Sequence, residues 1–329
     1  MKKSYFMSFL FLTIGCSLLF PGCAITNNST TSKVEQESIT DYTNLSEEDL
    51  NIRVDTNDID AILEKANRLY VSAEDSGEGY EEAVEYFKKA ADSGNALGQY
   101  HLGFAYLQGI GIEANPEEAF KYLSLSAEQG NTEAEFCVGY MYELGVGTGE
   151  DPNYDEATKY YKKAAEKGHD MSLCFLGDFA FFGLGREQNS EEAAEYYTAS
   201  ADKGNPLAQY CLGYLYEMGD GVEENIDKAV ELYTASADSG YGPGQANLAY
   251  LYLTGKGVAQ NYEEAFNLYT KAIEQETPAA FYGLGYLYEF GFAVEQDTQK
   301  ALEYYTKADS YGYEPAQDAL KSLQEKQIE

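Results

Sequence analysis

The sequence predicts an all-α fold, a solenoid of about seven helix-turn-helix repeats of ~36 residues, because three markers recur with one period. The first marker is the small residue of a recurring LGxxY pattern: Gly103, Gly139, Gly177, Gly213, Ala249 and Gly285. The second is an alanine in the following segment: Ala83, Ala119, Ala157, Ala193, Ala229, Ala265 and Ala301. The third closes each unit: Gly94, Gly130, Gly168, Gly204, Gly240, Glu276 and Gly312. Such a period is typical of a stacked helical array rather than of a compact catalytic domain.

Each unit is predicted to contain two helices separated by a glycine-containing loop. In one unit, residues 208–217 place apolar residues at the three- and four-residue spacing of one helical face. The stretch 219–222 interrupts that pattern with two glycines. Residues 226–237 resume it and stop before Gly240, the residue type that is favoured just past a helix end. The central Gly and Ala are explained by close packing of the two helices, without any phosphate site.

The order of LGxxY, GxGV and an alanine-centred helix resembles the Sel-1-like repeat, a relative of the tetratricopeptide repeat. Leu102–Tyr106, Gly109–Ile112 and Leu284–Tyr288 carry the resemblance most clearly, and it extends roughly over residues 59–325. Ala180 departs from the pattern at a motif tyrosine. The resemblance implies a right-handed superhelix, that is, a right-handed α-solenoid that acts as a protein-interaction scaffold.

Five segments follow from the repeats and their flanks. Residues 1–22 are predicted to be a signal peptide, residues 23–57 a disordered tether, and residues 58–94 a degenerate N-terminal repeat. Residues 95–312 form six Sel-1-like repeats, and residues 313–329 form a C-terminal capping helix. The tether is assigned because it is rich in Ser, Thr, Asn and acidic residues and has few apolar ones to bury.

The N-terminal segment has the layout of an export signal. A positive start at Met1–Lys3 precedes a mostly apolar stretch of about 16 residues, shorter than the ~20 that a membrane-spanning helix needs. Phe20-Pro-Gly-Cys23 resembles the lipobox of bacterial lipoproteins, which implies lipidation of Cys23 and anchoring at the bacterial cell envelope. The alternative is an ordinary secretory signal, which leads to a secreted or periplasmic protein.

The net charge of the chain limits the classes of partner that it can bind. With 22 basic against 56 acidic residues the formal net charge is −34, which excludes nucleic acid and favours a basic protein or peptide. Membrane contact is therefore expected only through the lipid.

Cys137, Cys174 and Cys211 fall in successive first helices, ~10 Å or more apart. They are predicted to be buried thiols rather than disulfide partners.

Catalytic, metal and cofactor motifs are weak, so neither an enzyme nor a cofactor is expected. The two histidines, His101 and His169, are too few for a histidine-rich metal site, and a helix-surface role accounts for His101. Ser200 and Lys203 match SxxK, but neither KTG nor SDN accompanies them. A hydrolase of cell-wall or β-lactam amides is the alternative from another class, and a glycan-binding surface protein is the third.

The expected function resides in a concave groove lined by the first helices. In the tetratricopeptide relatives, ligands contact the positions three before, one after and four after the small motif residue. Carried over to this chain, the implied partner-binding residues are Tyr100, Phe104, Phe136, Tyr140, Glu143, Asp178, Phe181, Tyr210, Tyr214, Glu217, Tyr250, Tyr282, Tyr286 and Glu289.

The alternative for this aromatic stripe is packing between repeats, because aromatic residues fill such seams well. Glu143, Glu217 and Glu289 lie on the same stripe, and unpaired carboxylates do not bury, which indicates that at least its far end faces solvent. The sequence therefore predicts a monomeric interaction scaffold that grips a peptide or protein, possibly a basic one, with tyrosines edged by acids.

Overall fold

A computed structural model describes residues 42–328, and all regular structure in that range is helical. The α-helices are α1 (Glu47–Asp55), α2 (Ile59–Ser76), α3 (Tyr80–Asp92), α4 (Ala96–Gln108), α5 (Pro116–Glu128), α6 (Thr132–Leu144), α7 (Tyr154–Glu166), α8 (Asp170–Phe182), α9 (Ser190–Ala201), α10 (Pro206–Met218), α11 (Ile226–Asp238), α12 (Gly242–Thr254), α13 (Tyr262–Ala272), α14 (Pro278–Phe290), α15 (Thr298–Ser310) and α16 (Glu314–Ile328). A short 3-10 helix, Ile273–Gln275, follows α13. The predicted all-α solenoid of helix pairs is confirmed.

These helices belong to two compact units. The N-terminal unit comprises residues 42–176 and 184–187, and the C-terminal unit comprises residues 177–183 and 188–328. Within the N-terminal unit, α2 packs on α3, α4 on α5, and α6 on α7; within the C-terminal unit, α10 packs on α11, α12 on α13, and α14 on α15. Each of these pairs is one repeat of the predicted period.

Asparagine side chains begin half of the α-helices in residues 42–328, a feature that the sequence prediction missed. The side-chain oxygens of Asn95, Asn131 and Asn205 accept the backbone N–H three residues later, at 2.9, 2.9 and 3.0 Å. Asn115, Asn153, Asn189, Asn225 and Asn261 do the same at the second helices. Each such cap stabilises its helix by about 1 kcal/mol.

The glycines of the GxGV loop have two structural roles. Gly219 ends α10 in the left-handed region at φ 63°, which L-residues with a side chain resist. Gly221 lies so close to the backbone of Ser190, at the start of α9, that a β-carbon there would collide with the Ser190 carbonyl. The loop between the two helices of one repeat therefore also packs against the preceding repeat. These two backbone requirements account for its glycines without a phosphate site.

The small motif residues let the second helix approach the first. A β-carbon on Gly139 would lie 2.8 Å from the ring of Tyr161, and one on Gly285 would lie 2.6 Å from the ring of Tyr305. The marker alanines of the second helices, Ala83 to Ala301, are all fully buried. Cys137, Cys174 and Cys211 are buried thiols, as predicted.

The segment before the repeats is more ordered than the sequence predicts. Residues 47–55 form α1, and Leu50 of α1 is fully buried against Tyr42 and Ala61. Arg68 of α2 donates to the carbonyls of Tyr42 and Thr43, at 3.0 and 3.1 Å. The prediction of a tether reaching residue 57 was therefore wrong for residues 42–57. The signal peptide, Cys23 and the rest of the tether lie outside the described residues.

The last helix, α16, packs its apolar side on the final helix pair. Ala316 is buried with Phe281 and Ala308, and Leu323 is buried with Ala301 and Tyr305. Across residues 42–328, none of the helices has both the length and the apolar content that crossing a membrane requires.

Candidate partner-binding surface

The structure divides the predicted stripe into buried, partly buried and exposed residues. Tyr100, Phe136, Asp178, Phe181 and Tyr210 are buried, between 0% and 5% exposed, so they offer almost no surface to a partner. Phe104, Tyr140, Glu143, Tyr214, Glu217, Tyr282, Tyr286 and Glu289 are partly buried. Tyr250 is exposed at 49%, which makes it the most accessible member of the stripe. The packing interpretation therefore holds for part of the stripe and fails at Tyr250.

The acidic residues of the stripe are paired with tyrosines of the second helices. The hydroxyl donors and carboxylate acceptors are Tyr161 and Glu143 at 2.6 Å, Tyr197 and Asp178 at 2.6 Å, Tyr233 and Glu217 at 2.9 Å, and Tyr305 and Glu289 at 2.9 Å. Each bond joins the two helices of one repeat. The expectation that Glu143, Glu217 and Glu289 point unpaired into solvent was therefore wrong. Their first role is to satisfy a buried tyrosine hydroxyl.

The pKa of Glu143 is shifted by its surroundings. Burial raises its pKa from the ordinary value of 4.5 to about 7, while the hydrogen bond from Tyr161 lowers it in part. Burial also raises the pKa of Tyr161 well above its usual range, and the neighbouring Glu143 raises it further. The proton of this pair therefore stays on the tyrosine, which donates to the glutamate.

Two repeats without this pair show what replaces it. In the repeat of α4 and α5, Leu107 takes the place of the glutamate and the buried Leu123 takes the place of the tyrosine. A carboxylate there would have no hydroxyl to bind. In this repeat the acid and the tyrosine are both absent, and where both are present each lowers the cost of burying the other.

In the repeat of α12 and α13, the tyrosine turns to a different helix. Ala249 replaces the motif glycine that seats the ring in other repeats. Tyr269 packs instead against Gly283 of the next first helix, where a β-carbon would collide with the ring. Leu253 stands where the paired glutamate would be.

The accessible part of the stripe lies in the C-terminal unit. Tyr214, Tyr250 and Tyr286 occupy the same position in α10, α12 and α14. These three first helices touch in sequence, α10 on α12 and α12 on α14. We call the three residues the tyrosine row. A row of equivalent side chains on adjoining helices offers a partner one aromatic contact for each repeat.

The tyrosine row lies among acidic and uncharged residues. The helices α4, α6, α8, α10, α12 and α14 contain no lysine or arginine. On α10 the stripe carboxylate Glu217 is bonded by a basic group, Lys256 of the α12–α13 loop, whose Nζ lies 3.0 Å from Glu217 Oε1. Many lysines of the repeats lie instead beside second-helix tyrosines, as Lys163 does over Tyr160.

An aromatic patch next to the tyrosine row was not predicted. Phe290 is 46% exposed and lies with Tyr286 and Phe292, at ring distances of 4.7 and 5.9 Å. Phe292 stacks on Tyr262 at 4.5 Å. The sequence signal was a pair of phenylalanines around Gly291, in the loop position where other repeats have Gly-x-Gly.

The consensus tyrosines pack between helices, as expected. Tyr106 stacks on Tyr122, Tyr142 on Tyr160, and Tyr288 on Tyr304, with ring distances of 6.1, 5.7 and 5.7 Å. They contribute to the seam within each repeat rather than to the candidate surface.

Ser200 and His101, the residues considered for catalysis or metal binding, contribute to helix packing. Ser200 is fully buried in the register of Ser126 and Ser236, whose hydroxyls donate to backbone carbonyls at the start of first helices. His101 is partly buried and stacks on Phe87 of α3 at 4.5 Å, and desolvation lowers its pKa to about 4, so it contributes to the packing between α3 and α4. In the described part of the chain no cluster of His, Cys, Asp and Glu could hold a metal ion.

Comparison with known proteins agrees with this architecture. The Sel1 repeat profile matches residues 64–95, 96–131, 132–169, 170–205, 206–241, 242–276 and 278–308. No curated protein matches the chain.

Two solved structures are similar over most of the described residues. The first is c5321, a protective antigen present in uropathogenic Escherichia coli strains that displays an SLR fold. Its TM-score is 0.70 with 32% identity, over 85% of this chain and 59% of that one, so this chain spans well under two thirds of its length. The second is a Sel1 repeat protein from Oxalobacter formigenes, with a TM-score of 0.67 and 29% identity over 75% of this chain and 96% of that one. With seven matched repeats and the helix pairs that they form, this chain belongs to the Sel1 repeat family.

Proposed function

We propose that this protein is a non-catalytic interaction scaffold that is lipid-anchored at the bacterial cell envelope and binds a protein or peptide on the tyrosine row. Sel1-repeat proteins are generally protein-interaction scaffolds. The observation that carries the proposal is Tyr250, which is 49% exposed on a first helix although its neighbours in the stripe are largely buried.

The tyrosine row suits recognition of a protein. A tyrosine ring offers a large rigid contact area and a hydroxyl, and only two side-chain torsions become ordered on binding. Phe290 extends the row with exposed apolar area. The contact set is therefore Tyr214, Tyr250, Tyr282, Tyr286 and Phe290, in place of the longer stripe expected from the sequence.

The absence of catalysis is supported by the location of Ser200. A serine nucleophile must reach its substrate, but Ser200 is fully buried between helices in a register that other repeats fill with serine or alanine. We accordingly propose neither the amide hydrolase nor the glycan binder.

Envelope anchoring is supported by the pattern Phe20-Pro-Gly-Cys23 behind an apolar segment. Lipidation of Cys23 would hold the repeats at the membrane while the net charge of −34 keeps the chain away from anionic lipid heads.

Capture from extracts of the native organism tests the binding surface. We expect the wild-type repeats to retain a partner that the Tyr250→Ala/Tyr286→Ala variant loses, with both proteins folded by circular dichroism. The matched control is Leu125→Ala, which removes a side chain of similar exposure from the second helix α5. Equal retention by all three proteins would contradict binding at the tyrosine row.

Labelling with a radioactive fatty acid tests the anchor. We expect the full chain to incorporate the label and sediment with membranes, and Cys23→Ser to do neither. Cys137→Ser, at a buried thiol, serves as the control and should remain labelled. Label on Cys23→Ser, or its absence from the wild type, would contradict lipidation at Cys23.

A further inference from the structure

Lys256 Nζ is hydrogen-bonded to Glu217, the stripe carboxylate of α10, on the same helix as Tyr214 of the tyrosine row. We propose that Lys256 is a built-in occupant of a cation site at Glu217, and that a partner inserts its own lysine or arginine side chain there in place of Lys256. This inference rests on the proposed function, because it assigns the partner's chemistry at the same surface.

The two oxygens of Glu217 have separate roles. Oε2 accepts the hydroxyl of Tyr233 at 2.9 Å, which fixes the carboxylate against the second helix of its repeat. Oε1 accepts Lys256 Nζ at 3.0 Å. The site therefore presents one oriented oxygen to an ammonium group, and it keeps its internal bond when that ammonium leaves.

The exposures of the two side chains favour exchange. The Glu217 side chain is 13% exposed, whereas that of Lys256 is 42% exposed. Lys256 reaches Glu217 from a loop 39 residues further along the chain, so holding it there costs side-chain freedom. Ion pairs with one solvated partner contribute little to stability, so a ligand's cation can displace Lys256 at small cost.

The aromatic and acidic residues near Glu217 also favour binding of a cation. Tyr214 lies one helical turn before Glu217 on α10, and Tyr250 occupies the equivalent place on α12. An arginine or lysine above such rings gains from the negative ring faces as well as from the carboxylate. Asp220, in the loop that follows α10, adds a second negative charge to this end of the surface.

Lys256 is the one lysine at its loop position among the six repeats. The position seven residues after the small motif residue holds Ile110, Val146, Leu184, Asp220, Lys256 and Phe292 in the successive repeats. Packing of the loop does not require a lysine, since apolar residues fill the same place in other repeats. Among the six repeats, lysine occurs at this position only in the loop that reaches Glu217. This is expected if the role of Lys256 is to pair with that glutamate.

Binding of a labelled decalysine peptide tests the inference. Removing the internal occupant with Lys256→Gln should tighten binding about threefold to fivefold, as expected when the competing cation of the pair was itself largely solvated. The matched control is Lys271→Gln, which removes the same charge from the exposed side of the second helix α13 and should change affinity less than twofold. Adding Glu217→Gln to Lys256→Gln should abolish the gain, while the amide can still accept the Tyr233 hydroxyl.

The outcomes separate this inference from the proposed function. Equal tightening by Lys256→Gln and Lys271→Gln would show that only overall charge matters, and would overturn the cation site. No binding of decalysine by any variant would also overturn it. The capture experiment with Tyr250→Ala/Tyr286→Ala decides the scaffold function independently, because it makes no assumption about the charge of the partner.

Discussion

Glu143 shows how a single side chain on the stripe can contribute to folding instead of binding. Its position on a first helix matched the contact positions that the resemblance implied, but Tyr161 bonds it at 2.6 Å and the surrounding residues bury it. The sequence alone could not distinguish these roles. The same spacing exposes Tyr250 and buries Tyr210, and only the packing of the second helix decides which occurs.

Replacing Glu143 by Gln should change how stability depends on pH. The folded-state pKa of about 7 exceeds the ordinary 4.5, so this carboxyl favours folding while it is protonated and loses that contribution as pH rises through 7. Relative to wild type, the free energy of unfolding of Glu143→Gln should therefore rise between pH 4.5 and 7 by up to about 3 kcal/mol, then level off. Urea unfolding at several pH values measures this difference. Glu113→Gln, in an exposed loop, should show no such trend, and a flat difference for Glu143→Gln would contradict the argument.

At the scale of the element, the helix pair was largely predictable and its exceptions were not. The 36-residue markers located every pair from α4–α5 to α14–α15, because small residues are required wherever two helices approach closely. Helix α1 was missed because residues 42–57 carry only a few apolar residues, such as Leu50, and their burial depends on Arg68 in the next helix.

The seam between α14 and α15 should not tolerate a methyl group. In Gly285→Ala the new β-carbon would lie 2.6 Å from the Tyr305 ring, and overpacking of this kind costs about 1–3 kcal/mol. Thermal or urea unfolding should show that loss. The reverse change one repeat earlier, Ala249→Gly, should cost about 1 kcal/mol from helix propensity. A neutral Gly285→Ala would mean that Tyr305 is not packed as described.

Arg68 should control the order of the segment before the repeats. Its guanidinium joins the Tyr42 and Thr43 carbonyls to Glu47 and Glu64, so Arg68→Ala removes all four contacts at once. Amide hydrogen exchange over residues 42–56 should become at least about tenfold faster, a loss of roughly 1.4 kcal/mol in local stability, while exchange in α10–α14 stays unchanged. The exchange rates of Arg68→Lys should lie between those of wild type and Arg68→Ala, because a lysine ammonium lacks the planar guanidinium that binds several acceptors at once. Unchanged exchange in Arg68→Ala, or an equal effect of Lys88→Ala on the exposed side of α3, would refute this role.

At the scale of the whole molecule, charge is the dominant property. The chain carries 56 Asp and Glu against 22 Lys and Arg, and the first helices from α4 to α14 contain no lysine or arginine. Composition therefore predicts a partner of positive charge. It could not locate the surface, because the carboxylates that seemed available, such as Glu289, are engaged by tyrosines.

Association with a basic peptide should depend steeply on salt. Long-range attraction to an acidic surface raises the association rate, and salt screens it. The rate constant for decalysine should fall about tenfold between 50 and 300 mM NaCl, with a smaller change in the dissociation rate. Stopped-flow fluorescence measures both rates. An association rate indifferent to salt would contradict electrostatic steering.

The turn of Tyr269 towards Gly283 has a consequence for how this array can grow or shrink during evolution. In four of these repeats, α6–α7, α8–α9, α10–α11 and α14–α15, the tyrosine ring of the second helix is seated by a glycine of the same module. The α12–α13 module instead relies on a glycine encoded in the module after it. A recombination event that deleted α12–α13 alone would leave Gly283 without the ring that fills its notch, and one that inserted a module at that boundary would collide with Tyr269. Gene duplications should therefore copy these two modules together, as a single heritable block.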